Sequence, residues 1–479
     1  PEIEKRILEF WNKNKIFEKS LKKKSPKGDF VFYDGPPFAT GTPHYGHIVA
    51  SLIKDIVPRY WTMQGYRVER KWGWDCHGLP IENIVEEELK LKDKKDIEKT
   101  GVDKFNETCR SKVLTYAKEW QKVVGRLGRW VDMDNAYKTM DLDYMESIWW
   151  VFKQLWDKKL IYKGHKSMHV CPRCETTLSQ SEVTQGYKDV KDIAVTIKFE
   201  LEDEPGTFVL AWTTTPWTLI GNVALAVNKD IDYVKFKYKD EIYITSKKDF
   251  DDYDKGKILK KFKGKELVGK KYKPLFNYYS EENLYTIQSA DFVDVEEGTG
   301  IVHIAPAFGE DDINLGREKN LPFIQHVNMD GRIKKQAKDF AGLEVRPKDD
   351  SLSTDKKIVN YLGKKVFFKE EYTHSYPHCW RCDSPLLNYA TDSWFVNVLK
   401  IKDEILENAK DINWVPKHVK EGRFGKWLEG IKDWSISRQR FWGSVMPIWI
   451  CDKCDEKEIF GSIKELEKAS GAKIKDLHK

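Results

Sequence analysis

A chain of 479 residues, a third of them charged and with a net charge of +6, is too long for one hydrophobic core, so two to four domains are expected. No apolar run approaches the roughly 20 residues that cross a bilayer and no secretory signal is visible; this sets aside a helical membrane protein and favours a cytosolic one. The lysine-rich positive balance permits a nucleic-acid partner without requiring one. The first residue is Pro1 rather than Met, which reads as a trimmed or incomplete start.

Ile3, Ile7, Phe10 and Trp11 share one helical face ahead of a lysine run at Lys22 to Lys24, predicting an amphipathic helix packed on the core and then an exposed loop. The apolar run Phe30 to Tyr33 predicts a short buried strand that stops at Gly35-Pro36-Pro37. Ile48, Leu52, Ile53 and Ile56 then recur at helical spacing, so a helix starts at or near Gly46. Strand, Gly/Pro loop and helix N-terminus form a phosphate site, because the first helical N–H groups lack partners and the helix dipole favours an anion. His44 and His47 stand where they donate hydrogen bonds to that anion, and Gly46 leaves room for a flat ring to approach the backbone.

A second strand is predicted at Tyr66 to Lys71, giving a parallel pair with a right-handed crossover. Ligands in such sheets bind beyond the carboxyl ends of the strands, so Trp72 to Glu82 should face the crevice of His44 and His47. There Asp75 offers a carboxylate to a substrate ammonium, or else caps the helix that begins near Ile81. From about residue 86 to 164 the pattern is helical and charged. Ile148, Phe152 and Leu155 form an apolar face, and Trp149, Trp150 and Trp156 read as helix packing in preference to base stacking.

Six of the eight cysteines fall in three Cys-x-x-Cys pairs, Cys171/Cys174, Cys379/Cys382 and Cys451/Cys454, while Cys76 and Cys109 stand alone. In a long chain without an export signal this spacing favours metal over disulfides. The first two pairs bracket one segment and supply four soft ligands for tetrahedral zinc; His165, His169, His374 and His378 are nearby substitutes for a thiolate. The third pair begins a second knuckle whose remaining ligands do not appear in the sequence. Between the first two pairs the runs Ala194 to Phe199, Phe208 to Trp212, Val223 to Val227, Tyr233 to Phe236 and Ile242 to Ile244 alternate with period two, predicting a β-barrel or sandwich-like domain. Two marks stand out in it: Trp212-Thr213-Thr214-Thr215-Pro216-Trp217-Thr218 running on to Asn222, and Gly298-Thr299-Gly300-Ile301-Val302-His303 running on to Asp311 and Asp312. From the residues alone, the threonines are strand filler and the two aspartates a helix cap. Arg438 and Arg440, in Asp433 to Gly443, contact a nucleic-acid backbone or pair with acids; both readings stay open.

His44-Tyr45-Gly46-His47 resembles the HIGH signature of class I aminoacyl-tRNA synthetases, and Gly73 to Glu82 resembles the isoleucyl version of the family's next block. The two marks in the β-rich segment are similar to the post-transfer editing domain of the isoleucyl, valyl and leucyl enzymes. The resemblance implies an α/β fold: the first half of a Rossmann-like nucleotide-binding domain with an inserted β-rich editing domain and zinc knuckles. It divides the chain at 1–170, 171–385 (editing core about 186–375) and 386–479.

Carried over by position, His44, Gly46 and His47 bind ATP, and the two histidines stabilise the transition state of adenylate formation. Asp75 holds the α-amino group of the amino acid and Pro37 lies against its side chain. Thr213, Thr214, Thr215, Asn222 and His303 line the editing pocket, and Asp312, preferred to Asp311 for its distance from His303, binds the ammonium of a wrongly attached amino acid. Cys171, Cys174, Cys379 and Cys382 hold structural Zn2+, with Cys451 and Cys454 as part of a second site. Implied with these are Mg2+ with ATP, L-isoleucine and tRNA(Ile) as partners, a cytoplasmic location and a monomer at full length.

The family's Lys-Met-Ser-Lys-Ser loop is not in the sequence, so an N-terminal piece, inactive in synthesis alone, is expected. The rival readings are a zinc-stabilised tRNA-binding or trans-editing protein and another HIGH-type nucleotidyltransferase.

Overall fold

The computed structural model describes residues 1–91, 94–251 and 256–478. They form two compact units, one of residues 1–160 with 440–479 and one of residues 161–439.

The first unit opens with helix α1 (Glu2–Lys13). Its predicted apolar face is only partly used: Ile3 and Phe10 are exposed, while Trp11 meets the Trp130 ring edge-on at 5.2 Å beneath the Arg59 guanidinium. The strand expected at Phe30 to Tyr33 does not form, and Val31 and Tyr33 lie open to solvent. Isolated bridges flank the segment instead, with Phe30 N–H to Arg67 O at 2.8 Å before it and Asp75 N–H to Pro37 O at 2.9 Å after it. Pro36 and Pro37 have no N–H to continue a ladder. Helix α2 (Tyr45–Met63) follows as expected.

The second strand, β1 (Lys71–Trp74), starts later than predicted and runs parallel to β2 (Asp132–Lys138), with Gly73 opposite Tyr137. A side chain at Gly73 would overlap the Tyr137 ring, its Cβ only 2.1 Å from Cζ, so the glycine lets that ring lie across the strand. β2 breaks the stretch read as helical; its short, half-buried mixture of polar residues carries no clear period. Helix α3 (Leu79–Leu89) begins after Gly78 with Pro80 in its first turn, and helix α4 is Leu142–Asp157. In α4, Trp149 and Phe152 are buried as expected, whereas Trp150 is exposed. Trp72, Trp74, Ile81, Phe105, Trp120 and Trp442 share the core of this unit.

The second unit begins with β3 (Ile161–Cys171) and then carries β4 (Tyr187–Glu200), β5 (Thr207–Thr213), β6 (Ala224–Val227), β7 (Asp232–Tyr238), β8 (Glu241–Ser246) and β9 (Lys257–Lys263). The five runs read as alternating in the sequence all fall on strands. They are followed by β10 (Thr286–Ser289), β11 (Ile301–Ile304), helix α5 (Glu310–Glu318), helix α6 (Ser353–Leu362), β12 (Val366–Pro377) and β13 (Leu387–Val396). One six-stranded sheet has the order β9-β7-β8-β5-β4-β12 and a three-stranded one β10-β6-β11. A further sheet centres on β13 paired antiparallel with β3 along its length, Leu387 opposite Val170 and Val396 opposite Ile161. That ribbon carries the unit past both cysteine pairs to Gln439. Returning to the first unit, the chain forms a hairpin, β14 (Ile448–Ile450) with β15 (Lys457–Ile459), and helix α7 (Ile463–Ser470).

Candidate functional sites

The first site is built where the Gly-Pro loop enters α2. His44 is the N-cap: its Nδ1 accepts from Gly46 N–H at 3.1 Å, and its own N–H donates to His47 Nδ1 at 3.2 Å. The imidazoles therefore satisfy two helix-start groups reciprocally, as Ser and Glu do in a capping box. Their rings lie 3.7 Å apart, with His44 exposed and His47 half-buried. Burial, then the neighbouring His44 and Lys54, lower the His47 pKa, so this ring is neutral at pH 7. Gly46 has a sharper role than ring access for a ligand: a Cβ there would sit 2.9 Å from His44 Cε1 and push the cap aside.

Asp75 is half-buried beyond β1, and its N–H bond to Pro37 O sets the two predicted amino-acid contacts side by side. Burial raises the Asp75 pKa against hydrogen bonds that lower it. It does not cap the next helix, which starts at Gly78 without a side-chain cap. The loop between Pro37 and His44 is held by Trp120, whose Nε1 donates to Gly41 O at 2.8 Å and whose ring meets His47 at 4.7 Å. At the loop's base the buried Arg129 pairs with Asp34 at 2.5 Å, and Lys54 pairs with the same carboxylate. Sequence reasoning missed Asp34, because its partner lies 95 residues away. Arg440 pairs with buried Glu82 at 3.0 Å, which supports the acid-pairing reading for that arginine.

The second site lies in the β-rich unit. β5 ends at Thr213 and a 3-10 helix (Pro216–Gly221) leads to Asn222, while the antiparallel register of β11 on β6 sets His303 opposite Leu225. This brings the two sequence marks together. Thr213 and Thr215 hydroxyls are 3.3 Å apart, Thr215 and Thr218 3.2 Å, and Thr218 Oγ1 lies 2.8 Å from His303 Nε2. Thr214, between them, is half-buried. Asn222 Nδ2 donates to Ala224 O at 2.9 Å and lies 3.4 Å from His303 Nδ1. Burial lowers the His303 pKa to about 4, so the imidazole is neutral at pH 7.

Asp312, at the start of α5, turns back to accept Ala305 N–H at 2.6 Å, two residues beyond His303, whereas Asp311 is exposed. Gly309 makes room for it, since a Cβ there would lie 2.1 Å from Asp312 Oδ2. Burial raises the Asp312 pKa to about 6. Two further residues hold the 3-10 helix: Asp355 accepts Trp217 N–H at 2.9 Å, and fully buried His326 lies 3.0 Å from Trp217 O through Nε2. Both were missed, because their partner Trp217 lies 138 and 109 residues away in the sequence.

The third site joins the ends of the β-rich segment. The Sγ atoms of Cys171, Cys174, Cys379 and Cys382 all lie within 4.8 Å of one another, with Cys171 and Cys174 3.4 and 3.6 Å from Cys382. Tetrahedral zinc with bonds of about 2.3 Å needs sulfurs about 3.8 Å apart, so the set fits the ion closely. The four nearby histidines are not in the cluster. Hydrogen bonds from Cys171, Cys174 and Cys379 draw the Cys382 thiol below its ordinary pKa range. Cys451 and Cys454 are exposed at the β14–β15 turn. Their backbone repeats the second knuckle: Cys451 N–H to Glu456 O and Asp455 N–H to Cys451 O match Cys379 N–H to Ser384 O and Asp383 N–H to Cys379 O. Asp383 and Asp455 both take positive φ. No third ligand joins Cys451 and Cys454 among the described residues.

Residues 6–479 match the family described as tRNA synthetases class I (I, L, M and V). The chain belongs to the class I tRNA synthetases. It is 46% identical to an isoleucine--tRNA ligase of Treponema denticola over 99% of its length and 47% identical to one of Clostridium tetani over 97%. An isoleucine--tRNA ligase 2 of Pseudomonas fluorescens is 47% identical over the whole chain. The chain spans about half the length of these curated relatives, 46%, 45% and 46% respectively. A solved LeuRS–tRNA complex of Agrobacterium radiobacter K84 aligns with TM-score 0.35 and 15% identity, over 95% of this chain and 51% of that one. In this chain the capped helix start and the threonine–histidine cluster fall on separate compact units. No helix among the described residues is long and apolar enough to cross a membrane.

Proposed function

We propose that this chain is the portion of an isoleucyl-tRNA synthetase that holds the amino-acid and ATP-phosphate contacts together with the whole of a hydrolytic editing pocket. The observation that carries this is the Gly73 to Glu82 block set beside the His44–His47 loop through the Pro37–Asp75 bond. In synthesis, L-isoleucine places its ammonium on Asp75 and its side chain against Pro37. ATP, with Mg2+, places its phosphates at the start of α2, where His44 and His47 donate to the charge that grows as pyrophosphate leaves. tRNA(Ile) then receives the isoleucyl group. The Lys-Met-Ser-Lys-Ser loop is not part of this sequence, so isoleucine-dependent ATP–pyrophosphate exchange by the 479-residue chain stays near background. Exchange at the rate of a whole synthetase would overturn this reading.

Editing is needed because one methylene in an apolar pocket separates substrates by only about 1–3 kcal/mol, isoleucine against valine being the standard illustration of that limit. In the β-rich unit, Asp312 receives the ammonium of valyl-tRNA(Ile), and Thr213, Thr214, Thr215, Asn222 and His303 shape a pocket for the smaller side chain. Water attacks the ester carbonyl and the tRNA leaves through its terminal ribose oxygen. His303 has both ring nitrogens engaged, which makes it a shaping residue and leaves the base role to the neighbouring ribose hydroxyl. The four-cysteine cluster holds Zn2+ as a clasp on this unit, and the Cys451/Cys454 turn offers half of a second set. The chain acts in the cytoplasm, and the complete enzyme as a monomer.

A further inference from the structure

Side chains alternate along a strand, so β1 brings Gly73 and Asp75 to one face, Asp75 continuing the extended line through a parallel bridge to Phe38. β2 sets Tyr137 opposite Gly73, and Thr139 follows two residues on, its N–H donating to Trp74 O at 3.1 Å. The Thr139 hydroxyl accepts Cys76 N–H at 2.9 Å and is one of the groups that hydrogen-bond the Asp75 carboxyl. The Tyr137 phenol crosses β1 in the space a side chain at Gly73 would take, a Cβ there lying 2.5 Å from its oxygen. It reaches the Gly-Pro loop, where its hydroxyl donates to Asp34 O at 3.4 Å. Tyr144 stacks on the ring at 5.6 Å, nearly parallel, and holds it there. Burial, then Tyr144, Asp34 and Asp75, raise the Tyr137 pKa, so the phenol stays protonated. The two carboxylates near it differ. Asp34 has Lys54 and Arg129 as partners, whereas Asp75 has no ion pair among the described residues.

We infer that the Tyr137 hydroxyl is a second contact for the substrate ammonium that Asp75 receives. The inference rests on the amino-acid reading of Asp75 and adds a residue to that site. A half-buried carboxylate without a cation is completed by one. An ammonium brings three donors, and a single carboxylate leaves at least one of them to another acceptor. Tyr137 Oη is that acceptor. Its hydrogen is spent on Asp34 O, so it offers lone pairs, which suit an ammonium and repel a carboxylate. Gly73 then serves binding as well as strand pairing, because any side chain there displaces the phenol from the neighbourhood of Asp75.

The test measures dissociation constants on the 479-residue chain by ligand-detected NMR, for L-isoleucine and for 3-methylpentanoate, the same skeleton without the amine. Tyr137→Phe keeps the ring in its slot and removes only the oxygen. It should weaken isoleucine about tenfold, the equivalent of one hydrogen bond to a charged group, and leave 3-methylpentanoate and Tm unchanged. Gly73→Ala, where no positive φ strains the backbone, should give the same pattern by pushing the phenol aside. Equal isoleucine binding by the parent and Tyr137→Phe overturns the inference. So does a loss shared by 3-methylpentanoate, which would make the tyrosine a packing residue. A parent chain that binds isoleucine no better than 3-methylpentanoate, or that loses nothing in Asp75→Asn, overturns the amino-acid reading of Asp75 itself and the inference with it.

Discussion

Asp312 and His303 bracket the pocket with opposite responses to burial. A carboxyl pushed up to about 6 is half-protonated in mildly acidic solution, and only its ionised form attracts an ammonium. kcat/KM for valyl-tRNA hydrolysis should therefore fall as pH drops through about 6, the free enzyme's value being the one that appears in that ratio. His303, pulled down to about 4, adds no inflection between pH 5 and 8. Asp312→Asn should remove the acidic limb along with most of the activity; a limb that survives it would assign the titration elsewhere. Gly309→Ala is a subtler probe: the backbone there is extended, so the added Cβ strains nothing but Asp312, which it would meet at 2.1 Å. Hydrolysis should drop about tenfold or more, for one displaced charged contact, with little change in Tm. His44, His47, Asp75 and His303 were legible because each sits within a local word of the sequence. Asp355, His326 and Arg129 were not, because each acts through a partner that only the tertiary fold brings near.

At the scale of elements, the 3-10 helix Pro216–Gly221 is held at Trp217, by Asp355 on one side of the residue and His326 on the other. Asp355→Leu leaves the buried Trp217 N–H without an acceptor and should cost about 1–3 kcal/mol in a denaturant titration. Asp355→Asn separates charge from hydrogen bonding. Burial raises the Asp355 pKa to about 7, above the value of about 3.9 for an unfolded aspartate. The folded chain then holds the proton more tightly, so this contribution is complete below pH about 4 and is lost as pH rises through 7. The parent should lose stability relative to Asp355→Asn across that window; parallel curves would show that the carboxyl does not titrate in it.

The zinc clasp is also an element-scale claim. Metal analysis should find one zinc in the Cys171–Cys382 cluster, absent in Cys382→Ser. At free zinc 1,000 times the dissociation constant the ion should add about 4 kcal/mol to the unit's stability. Alternation of apolar residues located the strands of this unit, since each buries one face. The same reasoning failed at Phe30 to Tyr33 and at β2: one is an apolar run with no ladder beside it, the other a strand written in polar residues.

At the scale of the molecule, α2 turns Val49, Leu52, Ile53, Ile56, Tyr60 and Met63 outward, and Val31 and Tyr33 of the same unit are also open to solvent. A stripe of this size on a helix that starts the proposed nucleotide site suits the rest of a parallel sheet and its helices. If that is its use, supplying the remaining half of an isoleucyl enzyme as a separate polypeptide should raise ATP–pyrophosphate exchange above background. Replacing Ile53 and Ile56 with Glu should abolish the gain without altering valyl-tRNA hydrolysis. The proposed editing residues all fall within the second unit, so on the proposed reading hydrolysis needs none of the synthetic machinery. The most direct measurement is therefore deacylation by the chain alone of tRNA(Ile) carrying valine, compared with the same tRNA carrying isoleucine. The account predicts that the valyl ester is cleaved at least about tenfold faster, the margin one excluded methylene supplies. Equal rates for the two esters, or no cleavage of either, would contradict it.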